Sequence, residues 1–142
     1  MLSLKYFPTH LIQLPRLDDL LLRFNHIKAI PENVSTIEPE LKTLDMQGNE
    51  LHSFPEKWKH IENIYIGANN LTTVPWTTEE LLKRNIRLRG NPICQIDQTL
   101  VNTIICTDGC SDICSSKSLE RSFCYFQCNT TECNYDNDKC LL

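Results

Sequence analysis

The first 93 residues of this chain contain no cysteine, and all 142 residues include only four glycines. So few glycines leave no phosphate-cradling loop. The four histidines, at 10, 26, 52 and 60, stand beside no nucleophile signature such as G-x-S-x-G. Nothing here favours an enzyme. No window is long and apolar enough to span a bilayer, so no membrane contact is expected from these residues. The opening "MLSLKYFPTH" lacks a basic segment followed by an apolar run, and does not read as an export signal. Basic charge is scarce in one place. Residues 94–142 hold three basic side chains (Lys117, Arg121, Lys139) and seven acidic ones, against eleven of each before them. The net charge of −4 therefore belongs to the tail, which disfavours nucleic acid as its partner and is compatible with a cation site there.

What is present is a composition of a folded chain, 41% apolar and 23% charged. Three segments align without gaps: "LDDLLLRFNHIKAIP" from Leu17, "LKTLDMQGNELHSFP" from Leu41 and "IENIYIGANNLTTVP" from Ile61. Each has apolar residues at its positions 1, 4, 6, 11 and 14, asparagine at 9 and proline at 15. A partial fourth, "NIRLRGNPIC" from Asn85, keeps Ile86, Leu88 and Asn91. The asparagines Asn25, Asn49, Asn69 and Asn91 are 24, 20 and 22 residues apart. Positions 4 and 6 alternate as on a strand with one buried face, which points Leu20, Leu22, Leu44, Met46, Ile64, Ile66, Ile86 and Leu88 inward. Stacked copies then make a parallel sheet. An asparagine at position 9 can turn inward and bond backbone groups that a tight coil leaves unpaired.

This spacing resembles the leucine-rich repeat family, and the resemblance implies an α/β repeat solenoid, a short horseshoe with a curved parallel sheet, over residues 1–106. "LKYFP" from Leu4 matches positions 11 to 15, so the chain starts inside a repeat. Leu4, Phe7, Leu11 and Leu14 are expected to face water at an open edge, since such arrays need a polar cap. The expectation is a chain truncated upstream, its export signal lying there; the rival is a complete short protein that dimerises through this edge. The outward residues of the strands form the candidate binding face for a protein ligand. Arg23, Phe24, Asp45, Tyr65, Arg87 and Arg89 stand there, including residue types that dominate interface energies. Small residues at position 8 (Gly48, Ala68, Gly90) leave room for a partner. His26 and His52 read as surface turn residues.

Eight cysteines fall at 94, 106, 110, 114, 124, 128, 133 and 140, a disulfide framework and hence an oxidising compartment. Sequons at Asn33, Asn70 and Asn129 fit an exported chain. Six cysteines allow 15 pairings, and spacing alone does not choose. From Cys110 the order is C-x3-C-x9-C-x3-C-x4-C-x6-C, with asparagine after the fourth cysteine and an aromatic-Asp pair after the fifth. This resembles the Notch-type repeat, or LNR module, over a second unit of residues 107–142. The resemblance implies bridges Cys110–Cys133, Cys114–Cys128 and Cys124–Cys140, which leaves Cys94 and Cys106 to close the last repeat. It also implies one calcium ion. Asp136 occupies a ligand position, but Lys139 stands where a ligand is expected, with Asp138 displaced by one, and Arg121 replaces another. Zinc fits poorly, because C-x3-C is not the usual knuckle spacing and no histidine follows His60. The functional expectation is a non-enzymatic extracellular or cell-surface protein-binding unit; the alternatives are an autoinhibitory element of a receptor-like membrane protein and a structural spacer.

Overall fold

The computed structural model describes residues 3–14, 16–31, 40–115 and 128–133. Each repeat contributes one strand at its positions 3 to 5: β1 (Asp19–Leu21), β2 (Thr43–Asp45), β3 (Asn63–Tyr65) and β4 (Asn85–Arg87). The four make one parallel sheet in the order β1-β2-β3-β4, with Leu20, Leu44, Ile64 and Ile86 side by side. The ungapped alignment of the sequence is thus the strand register itself. The architecture is a four-stranded parallel sheet with few helices, followed by a disulfide-rich region.

The sheet holds because both side chains and backbone are satisfied inward. Leu44, Met46, Ile64, Ile66, Ile86 and Leu88 are fully buried, and Leu20 and Leu22 nearly so. The asparagines turn in as expected. Asn49 accepts from Ile27 N–H at 3.1 Å and donates to Leu22 O and Met46 O at 2.9 and 3.0 Å. Asn69 repeats this with Leu51 N–H, Met46 O and Ile66 O, and Asn91 with Leu71 N–H, Ile66 O and Leu88 O. Each amide thereby ties its own unit to the one before and leaves few buried peptide groups unpaired.

Position 8 has a different meaning from the one expected. Phe24, Gly48, Ala68 and Gly90 all have left-handed backbone, with φ of 54°, 69°, 53° and 86°. The chain turns sharply there after every strand, and small residues reduce the steric cost of that turn. At Gly48 a side chain is also excluded by packing, because its Cβ would lie 2.2 Å from Phe24 Cδ1.

The two edges of the sheet end differently. Beyond β4 the chain runs through two single helical turns, α2 (Ile93–Ile96) and α3 (Ile104–Thr107), joined by the Cys94–Cys106 bridge. Leu88 N–H donates to Ile105 O at 2.7 Å, and Leu100 and Ile105 fill the core beneath. On the β1 side, the expected row of four exposed apolar residues is not found. Phe7 is buried with its ring edge-on to Trp58 at 5.2 Å, Leu4 and Leu11 pack on the core, and only Leu14 is exposed. A 3-10 turn at Thr9–Gln13 follows Phe7. One longer helix, α1 (Thr78–Lys83), precedes β4 and starts with a capping box between Thr77 and Glu80. No helix among the described residues is long and apolar enough to cross a membrane.

Candidate recognition surface

The outward side chains of the strands divide into three groups. The first is an internal ion pair. Arg23 contacts the Asp45 carboxylate, Gln47 Nε2 donates to the same carboxylate at 3.1 Å, and the Arg23 and Asp45 side chains are 6% and 0% exposed. Arg23 and Asp45 were expected to be available to a partner; instead they neutralise each other, the arginine reaching from one repeat to the next. Burial raises the Asp45 pKa, and the Arg23 charge and the Gln47 hydrogen bonds offset only part of that rise. Phe24 is likewise not a free aromatic anchor, since its ring lies over Gly48 and is partly buried.

The second group is a row of neutral hydrogen-bonding side chains across β2, β3 and β4. Asn85 Nδ2 donates to Tyr65 Oη at 3.0 Å and to Asn63 Oδ1 at 2.6 Å, and Asn63 Nδ2 donates to Thr43 Oγ1 at 3.2 Å. Thr43, Asn63, Tyr65 and Asn85 are all half-buried. Both amide hydrogens of each asparagine are committed within this row and to Lys42 O, so the Tyr65 and Thr43 hydroxyls remain as outward donors.

The third group is held by the start of the cysteine-rich region. Arg87 faces Asp108 at 3.7 Å. Arg89 pairs with Asp112 at 3.2 Å and donates to Gly109 O at 2.8 Å. Residues 107–112 therefore lie along one end of the outward face, and the arginines expected to meet a partner meet carboxylates of their own chain. The signal for this was two aspartates four apart soon after Cys106, matching Arg87 at the end of β4 and Arg89 two residues beyond it. Gly109 makes the following turn, because at φ 84° a Cβ would lie 2.1 Å from Cys114 O.

Three bridges are present: Cys94–Cys106, Cys110–Cys133 and Cys114–Cys128. Cys124 and Cys140, the expected fourth, lie outside the described residues. Among the described residues the one group of clustered metal-ligand types is Cys110, Cys114 and Cys133, whose sulfurs lie within 4.8 Å of one another. All three sulfurs are in disulfides, so no thiolate is available to a zinc ion. Asp136 and Asp138, named for calcium, fall outside the described residues, as do Arg121 and Lys139. Of the three sequons, Asn70 and Asn129 are exposed and Asn33 is outside the described residues. His26 and His52 are exposed.

No protein-family model matches the chain, and no curated protein or solved structure is significantly similar to it.

Proposed function

We propose that this chain is a non-enzymatic protein-binding unit of an extracellular or cell-surface protein, a short leucine-rich repeat solenoid joined to a Notch-type module. The observation that carries this reading is the outward row of Thr43, Asn63, Tyr65 and Asn85, fixed in place by its own hydrogen bonds. Preordered polar groups beside an aromatic ring lose little freedom when a partner docks. The disulfides are compatible with an oxidising compartment, and exposed sequons fit glycosylation there. Calcium binding in the tail belongs to the same family resemblance and is expected to be weak, because Lys139 and Arg121 stand at ligand positions.

The test is a partner captured on the immobilised chain from extracellular fluid, followed by affinity measurement against single variants. Tyr65→Ala should weaken binding by roughly 1 to 4 kcal/mol, the range of interface anchors. Lys57→Ala, exposed in the 3-10 turn Glu56–Trp58 and outside every strand, should leave it unchanged. Equal losses at both positions would refute the outward face as the binding surface.

A second reading is favoured by the Arg87–Asp108 and Arg89–Asp112 pairs. Here the acidic start of the cysteine-rich region masks the basic end of the face, as an autoinhibitory element of a receptor-like protein would.

A further inference from the structure

Asn70 differs from the asparagines around it. Asn69 and Asn91 commit their amides to buried backbone, but Asn70 is exposed and its side chain has no hydrogen-bond partner among the described residues. Its backbone is fixed, since Asn70 N–H donates to Leu51 O at 2.8 Å and Leu71 N–H to Asn91 Oδ1 at 3.0 Å. Leu71 is fully buried and Thr72 exposed, so the turn presents both polar residues of the sequon to solvent.

The Asn70 side chain does not stand on open surface. It lines one side of a groove of about 520 Å³, and the segment beyond β4 lines the other with Pro92, Gln95 and Val101. That volume falls within the roughly 300 to 1,000 Å³ of small-ligand sites. Arg89, also in the wall, is held in place by Asp112 and Gly109 O. Pro92 and Val101 are half-buried and offer apolar surface, while Gln95 and Asp112 are exposed and offer an amide and a carboxylate. A sugar ring matches this mixture, because its C–H face is apolar and its rim carries hydroxyls. Cys94 and Cys106, bridged to each other, line the same groove.

We propose that Asn70 carries an N-linked glycan whose first sugar, an N-acetylated hexosamine, lies in this groove and covers the Cys94–Cys106 bridge. The proposal rests on the extracellular reading, because sugar is transferred to such asparagines on exported chains. In the transfer, the C1–O bond of a lipid pyrophosphate-linked sugar breaks and a C1–Nδ2 bond forms at Asn70. One amide proton leaves, and the lipid pyrophosphate departs with the bonding electron pair. Seated in the groove, the apolar face of the ring lies on Pro92 and Val101, and its hydroxyl and acetamido groups meet Gln95 and Asp112. Because the sugar is tethered to the wall of its own groove, docking costs less freedom than capture of a free ligand does.

The test uses the full chain with Asn33→Gln and Asn129→Gln, secreted from eukaryotic cells behind an added export signal and trimmed by an endoglycosidase to a single sugar. Peptide mass mapping should place that sugar on Asn70. It should show nuclear Overhauser contacts to the Val101 methyls. Dithiothreitol should reduce Cys94–Cys106 about fivefold more slowly than in the same chain carrying Thr72→Ala, which has no sequon there. Unmodified Asn70, a sugar without contacts to Val101, or equal reduction rates overturn the proposal. The chain with all three sequons intact separates this failure from that of the extracellular reading. Sugar on Asn33 or Asn129 with Asn70 bare overturns the groove assignment alone, whereas a chain retained in the cell with unpaired cysteines overturns both.

Discussion

Two kinds of buried polar residue stabilise the sheet by opposite routes. The asparagines at position 9 are neutral and have their hydrogen bonds met, so each offsets the cost of burying the peptide groups it binds. Asp45 is charged and dry, and the proton competes for it. Because burial lifts its pKa above the usual 3.8, the folded chain holds that proton more tightly than the unfolded chain does. The Asp45 contribution is therefore fully present below 3.8 and is lost as pH rises through the raised folded value. Asp45→Asn removes this titration. Urea unfolding at stepped pH from about 3 upward should show the stability of the original chain falling relative to the variant. The variant also removes the Asp45 charge from beside Arg23, but that offset is constant over the window, so only the slope counts. A flat difference would mean that the arginine cancels the desolvation.

At the level of elements, the end of β4 and the turn beyond it are joined to the segment after α3 by two ion pairs of unequal burial. Arg87 and Asp108 are 18% and 7% exposed, whereas Asp112 is 69% exposed. Asp108→Asn should cost about 1 to 3 kcal/mol, since Arg87 loses its counter-charge away from water. Asp112→Asn should cost under about 1 kcal/mol, and less still in high salt. Unfolding curves of the two variants at low and high salt compare them, and equal costs would show that both pairs are solvated. This contact also marks the limit of what the sequence discloses. Strand positions and register followed from the asparagine spacing, because a period of about twenty residues is a local property of each unit. The helix start at Thr77 and Glu80 was not anticipated, although T-x-x-E before Leu81 and Leu82 is the pattern of a capping box. The outward face was misread because its occupants are remote. Periodicity places Arg87 and Asp45 on the same side of a strand, but nothing periodic says that Asp108 will cover one and Arg23 the other. Phe7 was misplaced for a similar reason, since its partner Trp58 lies two repeats away.

Over the molecule as a whole, the two resolved bridges within the cysteine-rich region and the one beyond β4 close loops of 23, 14 and 12 residues. Each contributes roughly 2 to 4 kcal/mol by restricting the unfolded chain. All three lie on the β4 side, and the β1 side has none among the described residues. The sheet is thus a zipper sewn at one end only. Opening it from β1 breaks one repeat's contacts at a time, while opening it from β4 must work against covalent closure. Loss of structure accordingly runs in one direction along the chain. Native-state amide exchange reads that direction from the matched donors at position 6: Leu22 should exchange fastest, then Met46, with Ile66 and Leu88 slowest. The reverse order would mean that the bridged end yields first. A pull applied to the β1 end would release the four strands in sequence and stop at Cys94, so the bridge to Cys106 acts as a mechanical stop that keeps the segment behind it closed after the sheet has gone.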